Sequence, residues 1–190
     1  MTDINLATMP EQQWPFKLRL LHALTDCIKE VTPANGYTFD LADFDPGDGV
    51  MTPRVYRGRS WFGESDPVPM VSVLEPIEES DYVFTPPSDA STGTYDWPLL
   101  VQGFVSDDPQ NPTDPAYWLM HDVRRRLVCE KRRTRPGMRT TDPLGSSQWG
   151  LPGRVSDLKI STGKVRPADD VSARAYFWMV VTPTVTEDAE

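Results

Sequence analysis

Trp97-Pro98-Leu99-Leu100-Val101-Gln102-Gly103-Phe104-Val105, then Ser106-Asp107-Asp108-Pro109-Gln110-Asn111-Pro112-Thr113-Asp114-Pro115, then a helical run from Ala116 to about Arg133, is the stretch on which the fold turns. Its opening is the most apolar run of the chain and reads as a strand central to a sheet. Its middle is acidic and punctuated by proline, which is turn composition. In the last part Leu119 or Met120, Val123, Leu127 and Val128 recur at helical spacing. Asp114 is placed to cap this helix, and Pro115 suits its first position. His121, Asp122, Arg124, Arg125 and Arg126 gather on the side away from the apolar stripe. Cations accumulate in the last turns, where the helix dipole favours them. Strand, turn and amphipathic helix together describe a scaffold with a charged surface rather than a reaction centre.

Upstream, the region from Glu11 to Val31 reads as a first helix. Phe16, Leu20, Leu24, Cys27, Ile28 and Val31 form one buried stripe, with Lys17, Asp26, Lys29 and Glu30 off it. Pro15 suits its first turn, and Pro33 with Asn35-Gly36 ends it. Tyr37–Leu41 alternates like a strand, Asp45-Pro46-Gly47-Asp48-Gly49 is a turn, Val50–Arg57 a strand, and Gly58–Gly63 a loop displaying Trp61 and Phe62. Val68–Glu75 is a further strand, which Pro69 confines to an edge or a strand start.

Downstream, Val155–Ile160 alternates as a strand, and Val171–Val181 is the last. Ala173, Ala175, Phe177, Met179 and Val181 fall on one face of it; Arg174, Tyr176, Trp178 and Val180 fall on the other. Surface loops are expected near 76–95 and 134–153, and a short acidic tail from Thr184 to Glu190 is expected to fray. The expectation is a single domain over 1–190 of α+β class: a mostly antiparallel β-sheet with two helices packed on one face.

Composition narrows the function. A chain of 190 residues, 38% apolar, buries one core. A net charge of −9 opposes general nucleic-acid binding. Lacking a long apolar run or a signal-type leader, the sequence predicts no membrane span and places the chain in a cytoplasm. Cys27 and Cys129 fall in helices and read as buried free thiols. His22 and His121 lack a second ligand at metal spacing. Neither a Gly-x-Ser-x-Gly elbow nor a phosphate-binding glycine loop is present. The Asp45–Gly49 turn has the oxygens of a calcium loop without its ligand ladder or distal Glu. Asp107 and Asp108, with Asp114, Asp122 and Arg124, are the residues a metal-dependent nuclease would use, although Asp-Asp-Pro before a helix is also ordinary cap composition. No cofactor, no metal and no enzymatic activity are expected.

Charge is unevenly spread. Arg124, Arg125, Arg126, Lys131, Arg132, Arg133, Arg135 and Arg139 face Glu130 alone, whereas Glu75, Glu78, Glu79 and Asp81 form an acidic stretch elsewhere. Opposite signs on one subunit suit head-to-tail self-association. The basic helix end, with Tyr117 and Trp118 near the helix start, is also the feature a small DNA-binding protein would use.

Leu20-Leu21-x-Ala23-Leu24-Thr25, Val55-Tyr56-Arg57-Gly58-Arg59, Pro69-x-Val71-Ser72-Val73-Leu74-Glu75, and Trp97-x-Leu99-x-Val101-Gln102-Gly103-Phe104-Val105 leading to Asp114-Pro115-Ala116-Tyr117 follow one another in an order that resembles tail terminator (tail-completion) proteins of long-tailed bacteriophages. The resemblance spans roughly 12 to 130 and returns at Val171–Val181. It implies two helices on a sheet and a hexameric ring seated on the last ring of the tail tube. Such a ring stops tube polymerisation and offers its other face to the head–tail connector or stopper, with DNA only passing through the lumen. It implies a virion location, after assembly in a host cytoplasm, and neither catalysis nor a cofactor. The segments 134–153 and 76–95 depart from the family pattern. Another head–tail joining component, a stopper or a minor tail protein, is the nearest alternative.

Overall fold

The computed structural model describes residues 10, 14–60, 62–63, 66–76, 92–133, 155–169 and 172–188. Helix α1 is Phe16–Lys29, entered from Pro15, whose fixed φ suits the approach to a helix. Phe16, Leu20, Leu24, Cys27, Ile28 and the following Val31 are all buried, as the stripe required. Thr25 is buried beside them and donates its hydroxyl back to the Leu21 and His22 carbonyls. A 3-10 turn, Pro33–Asn35, and a left-handed Gly36 (φ 79°) then turn the chain.

The strands are β1 (Val55–Arg57), β2 (Met70–Leu74), β3 (Thr92–Asp96), β4 (Leu99–Val105), β5 (Val155–Ile160), β6 (Lys164–Arg166) and β7 (Ala175–Asp188), with helix α2 (Asp114–Arg133) between β4 and β5. They form one sheet in the order β1-β2-β4-β7-β3, with β5 and β6 also on β7. Among these strands β1 and β2 pair in parallel and the rest antiparallel. β7 is the spine. Val181 opposes Leu99 on one edge and Ile160 on the other, so β4 and β3 share one edge and β6 and β5 the opposite one.

One face of the sheet, with Val71, Val73, Leu99, Val101, Ala175, Phe177, Met179 and Val181, shares a single core with Leu20, Leu24 and Ile28 of α1 and Leu119, Val123 and Leu127 of α2. This is the expected α+β arrangement. Gly103 pairs with Phe177, and a Cβ there would lie 2.1 Å from the Phe177 ring. The missing side chain is what lets that ring fill the centre of the sheet.

Several expected boundaries move. Tyr37–Leu41 is not a strand, although its alternation is real: Leu41 is buried, and Tyr37 and Phe39 are half-buried. The Thr38 and Phe39 N–H groups donate to the Asp122 carboxylate (2.7 and 3.1 Å) instead of to a neighbouring strand. Val50–Arg57 shortens to β1, with Thr52 bridging Phe44 alone. Asp114 lies in the first turn of α2 rather than capping it. β3 emerges from the end of the expected 76–95 loop, and β6 was not foreseen.

The last strand begins later and runs further than expected, absorbing most of the acidic tail. Pro183 argues against a strand there. It falls at the gap between β3 and β4, where the Trp97 N–H still donates to its carbonyl (2.9 Å), so the strand runs on although proline supplies no N–H of its own there. Cys27 is buried and Cys129 exposed, both as free thiols, so the expectation of burial fails for Cys129. The first helix begins at Phe16 rather than near Glu11, with Trp14 and Pro15 non-helical ahead of it. The loop 134–153, Trp61 and residues 11–13 lie outside the described residues.

Candidate functional site

Helical periodicity turns Ala116, Leu119, Val123 and Leu127 of α2 toward the core. Three charged residues accompany them: Asp122, Arg126 and Glu130 are buried too. Asp122 holds the 38–39 backbone, as described above. Arg126, 7% exposed, meets Glu30 at the end of α1 (2.6 Å) and Glu130 one turn on in its own helix (3.3 Å). Burial alone would lower the pKa of Arg126, but nearby Cys27, Glu30 and Glu130 outweigh it and hold it above its ordinary value. Asp122 and Arg126 were expected on the polar side of this helix. Arg126 instead locks α1 to α2 and is withdrawn from the exposed basic face.

The other predicted site residues divide in three. Lys131 is half-buried and reaches Asp157 of β5 (3.4 Å). Arg125 is exposed, donates to the Gly36 carbonyl (3.0 Å) and lies 4.9 Å over the Tyr37 ring. Arg124 is exposed beside it, and both line a shallow groove of about 320 Å³ with His121, Val128 and Cys129. Glu75 is exposed just beyond β2. The side chains of Arg132 and Arg133, together with Arg135, Arg139, Glu78, Glu79 and Asp81, lie outside the described residues. The structure therefore brings Arg124 and Arg125 together and says nothing of their pairing with the 75–81 acids.

The N-terminal end of α2 carries the largest exposed rings of the helix. Tyr117 is 54% and Trp118 57% exposed. Trp118 borders a groove of about 550 Å³ with Thr38, Phe39, Asp108, Asn111, Asp114 and Pro115. His121 stands edge-on to the Trp118 ring, with centroids 6.0 Å apart. Asp108 accepts N–H bonds from Gln110 and Asn111 (2.8 Å each), so it shapes the turn into the helix. Among the described residues no group of three or more His, Cys, Asp or Glu could hold a metal ion. The nuclease reading of Asp107, Asp108, Asp114 and Asp122 gains nothing from this geometry, since Asp122 is occupied by backbone donors. Asp45 likewise spends its carboxylate on the Gly47 and Gly49 N–H groups, and those donors lower its pKa.

The sheet face away from the helices bears a second aromatic feature. Phe62 meets Phe104 (centroids 4.6 Å apart), Phe104 stacks with Tyr176 (6.0 Å), and Tyr176 stacks with Trp178 (5.7 Å). Together they floor a groove of about 350 Å³ bounded by Ser60 and Ser172. Alternation in the last strand placed Tyr176 and Trp178 on this face. The ladder across to Phe104 and Phe62 depends on register and a loop, which the sequence does not display. At its edge Arg59 sits over Tyr56 and Phe62 (4.7 and 4.8 Å) and pairs with Asp66 (2.6 Å). Among the described residues no helix is long and apolar enough to cross a membrane.

No family model matches the sequence, and no curated protein matches it either.

Proposed function

We propose that this chain is a structural virion protein that caps the head-proximal end of a phage tail tube as a ring. In this reading the ring, a hexamer in the proteins it resembles, stops tube polymerisation and presents a joining surface to the connector or stopper while DNA passes through its lumen. The observation that carries the reading is the exposed side of α2. A helix locked to the sheet and to α1 holds Tyr117 and Trp118 in solvent in its first turns and Arg124 and Arg125 near its middle. Aromatic rings and arginines are the residues on which protein–protein contacts concentrate their energy. The order of sequence phrases shared with tail terminators adds to this, and so does the α+β scaffold that the resemblance implies.

The test is size-exclusion chromatography with light scattering, on the protein alone and mixed with tail tubes. A closed ring, or recruitment to tube ends, is expected; a strict monomer that ignores the tubes would overturn the proposal.

A further inference from the structure

We infer that the outward stripe of α2 is where a second copy of this chain docks, the Arg124–Arg125 patch at the middle of the helix in one copy against the acidic, aromatic start of the helix (Asp108, Asp114, Trp118) in the next. This rests on the self-assembling reading above and names its contact. Asp114, Trp118, His121, Arg125 and Val128 succeed one another at alternating four- and three-residue steps, so they share one side of the helix. That side is opposite in character to the core stripe, yet it is not uniformly polar.

The helix dipole explains acids at its start and cations further along. It gives no reason for a Trp and a Tyr more than half exposed at the acidic end. A guanidinium does give one, because it can stack on the indole face while its N–H fork pairs with a carboxylate. The chain already makes the stacking half of this contact internally, with Arg125 over Tyr37. Trp118 and Arg125 lie about 10 Å apart along the axis at 1.5 Å per residue. The helix start and the mid-helix arginines are therefore distinct patches of unlike charge on one element, each bordered by its own groove. Unlike patches on one subunit meet head to tail, or in antiparallel pairs.

The experiment is sedimentation velocity at low and high salt on the wild-type chain, Trp118→Ala, Arg124→Glu/Arg125→Glu and Asp114→Lys, with circular dichroism confirming that each is folded. The wild type is expected to associate at low salt and to weaken at high salt. Trp118→Ala should weaken association by about tenfold or more. The two charge-reversed variants should each be monomeric and should associate when mixed. Folded variants that associate like the wild type would overturn the docking surface while leaving a ring through other contacts possible. Closed dimers lost on Trp118→Ala would support the surface and count against the ring. A wild type that stays monomeric at every concentration would overturn the inference, and recruitment of that monomer to tube ends would still uphold the proposed function.

Discussion

The two sides of α2 each carry, beside their usual residues, some that belong to the other. The inward side carries Asp122, Arg126 and Glu130, and the structure gives each a partner: two backbone N–H groups for Asp122, and carboxylates from both helices for Arg126. The outward side carries Tyr117 and Trp118 in solvent. Charge inside, paired within the chain, is mechanical: it fixes how α1, the 37–41 segment and α2 sit together. Rings outside are surface held ready for something else. The difference separates residues that build the fold from residues that a docking copy, as proposed above, would read.

The largest effect expected from breaking this contrast is at Arg126. Arg126→Ala removes the guanidinium that Glu130, 5% exposed, and Glu30 both meet, and should cost about 3–5 kcal/mol in urea denaturation. Replacing the pair together, Arg126→Met with Glu130→Leu, should recover most of that loss. Next comes Asp122→Ala, which strands the Thr38 and Phe39 N–H groups. It should cost about 1–3 kcal/mol and accelerate hydrogen exchange at those two amides before others in the segment. Trp118→Ala sits on the other side of the comparison. Its stability should stay within about 0.5 kcal/mol of wild type, and its effect should appear in association instead.

The smallest effect concerns the outer sheet face, where the aromatic cluster already holds a cation of its own. The Arg59 hydrogen bond, helped by the Gly63 N–H and opposed by burial, holds Asp66 below the usual carboxylate range. A depressed folded-state pKa stabilises the protein above the unfolded value, and that contribution is lost as pH falls through the folded one. Asp66→Asn should therefore cost up to about 1 kcal/mol near neutral pH, and the difference from wild type should vanish in strong acid.

Much of the fold was legible because it was periodic. Every residue of the α1 apolar stripe is buried, with Thr25 added to it, and β4, β5 and the body of α2 follow from apolar runs and alternation. What escaped depends on distant partners. The 37–41 segment alternates like a strand, but its N–H groups are taken by an aspartate far along the chain. β3 is Thr- and Gly-rich and exists as a strand because β7 continues past Pro183 to pair with it. Arg126 looked like its neighbours Arg124 and Arg125, and only the position of Glu30 on another helix decides that it turns inward. For the candidate site, the exposed basic pair and the aromatic helix start were visible in sequence. Which cations remain on the surface was not.

The most direct test of the central claim is electron microscopy of phage particles assembled without this chain. The account predicts tail tubes that overrun their normal length and heads left unjoined to them. Tubes of normal length, whether or not filled heads leak their DNA, would contradict it.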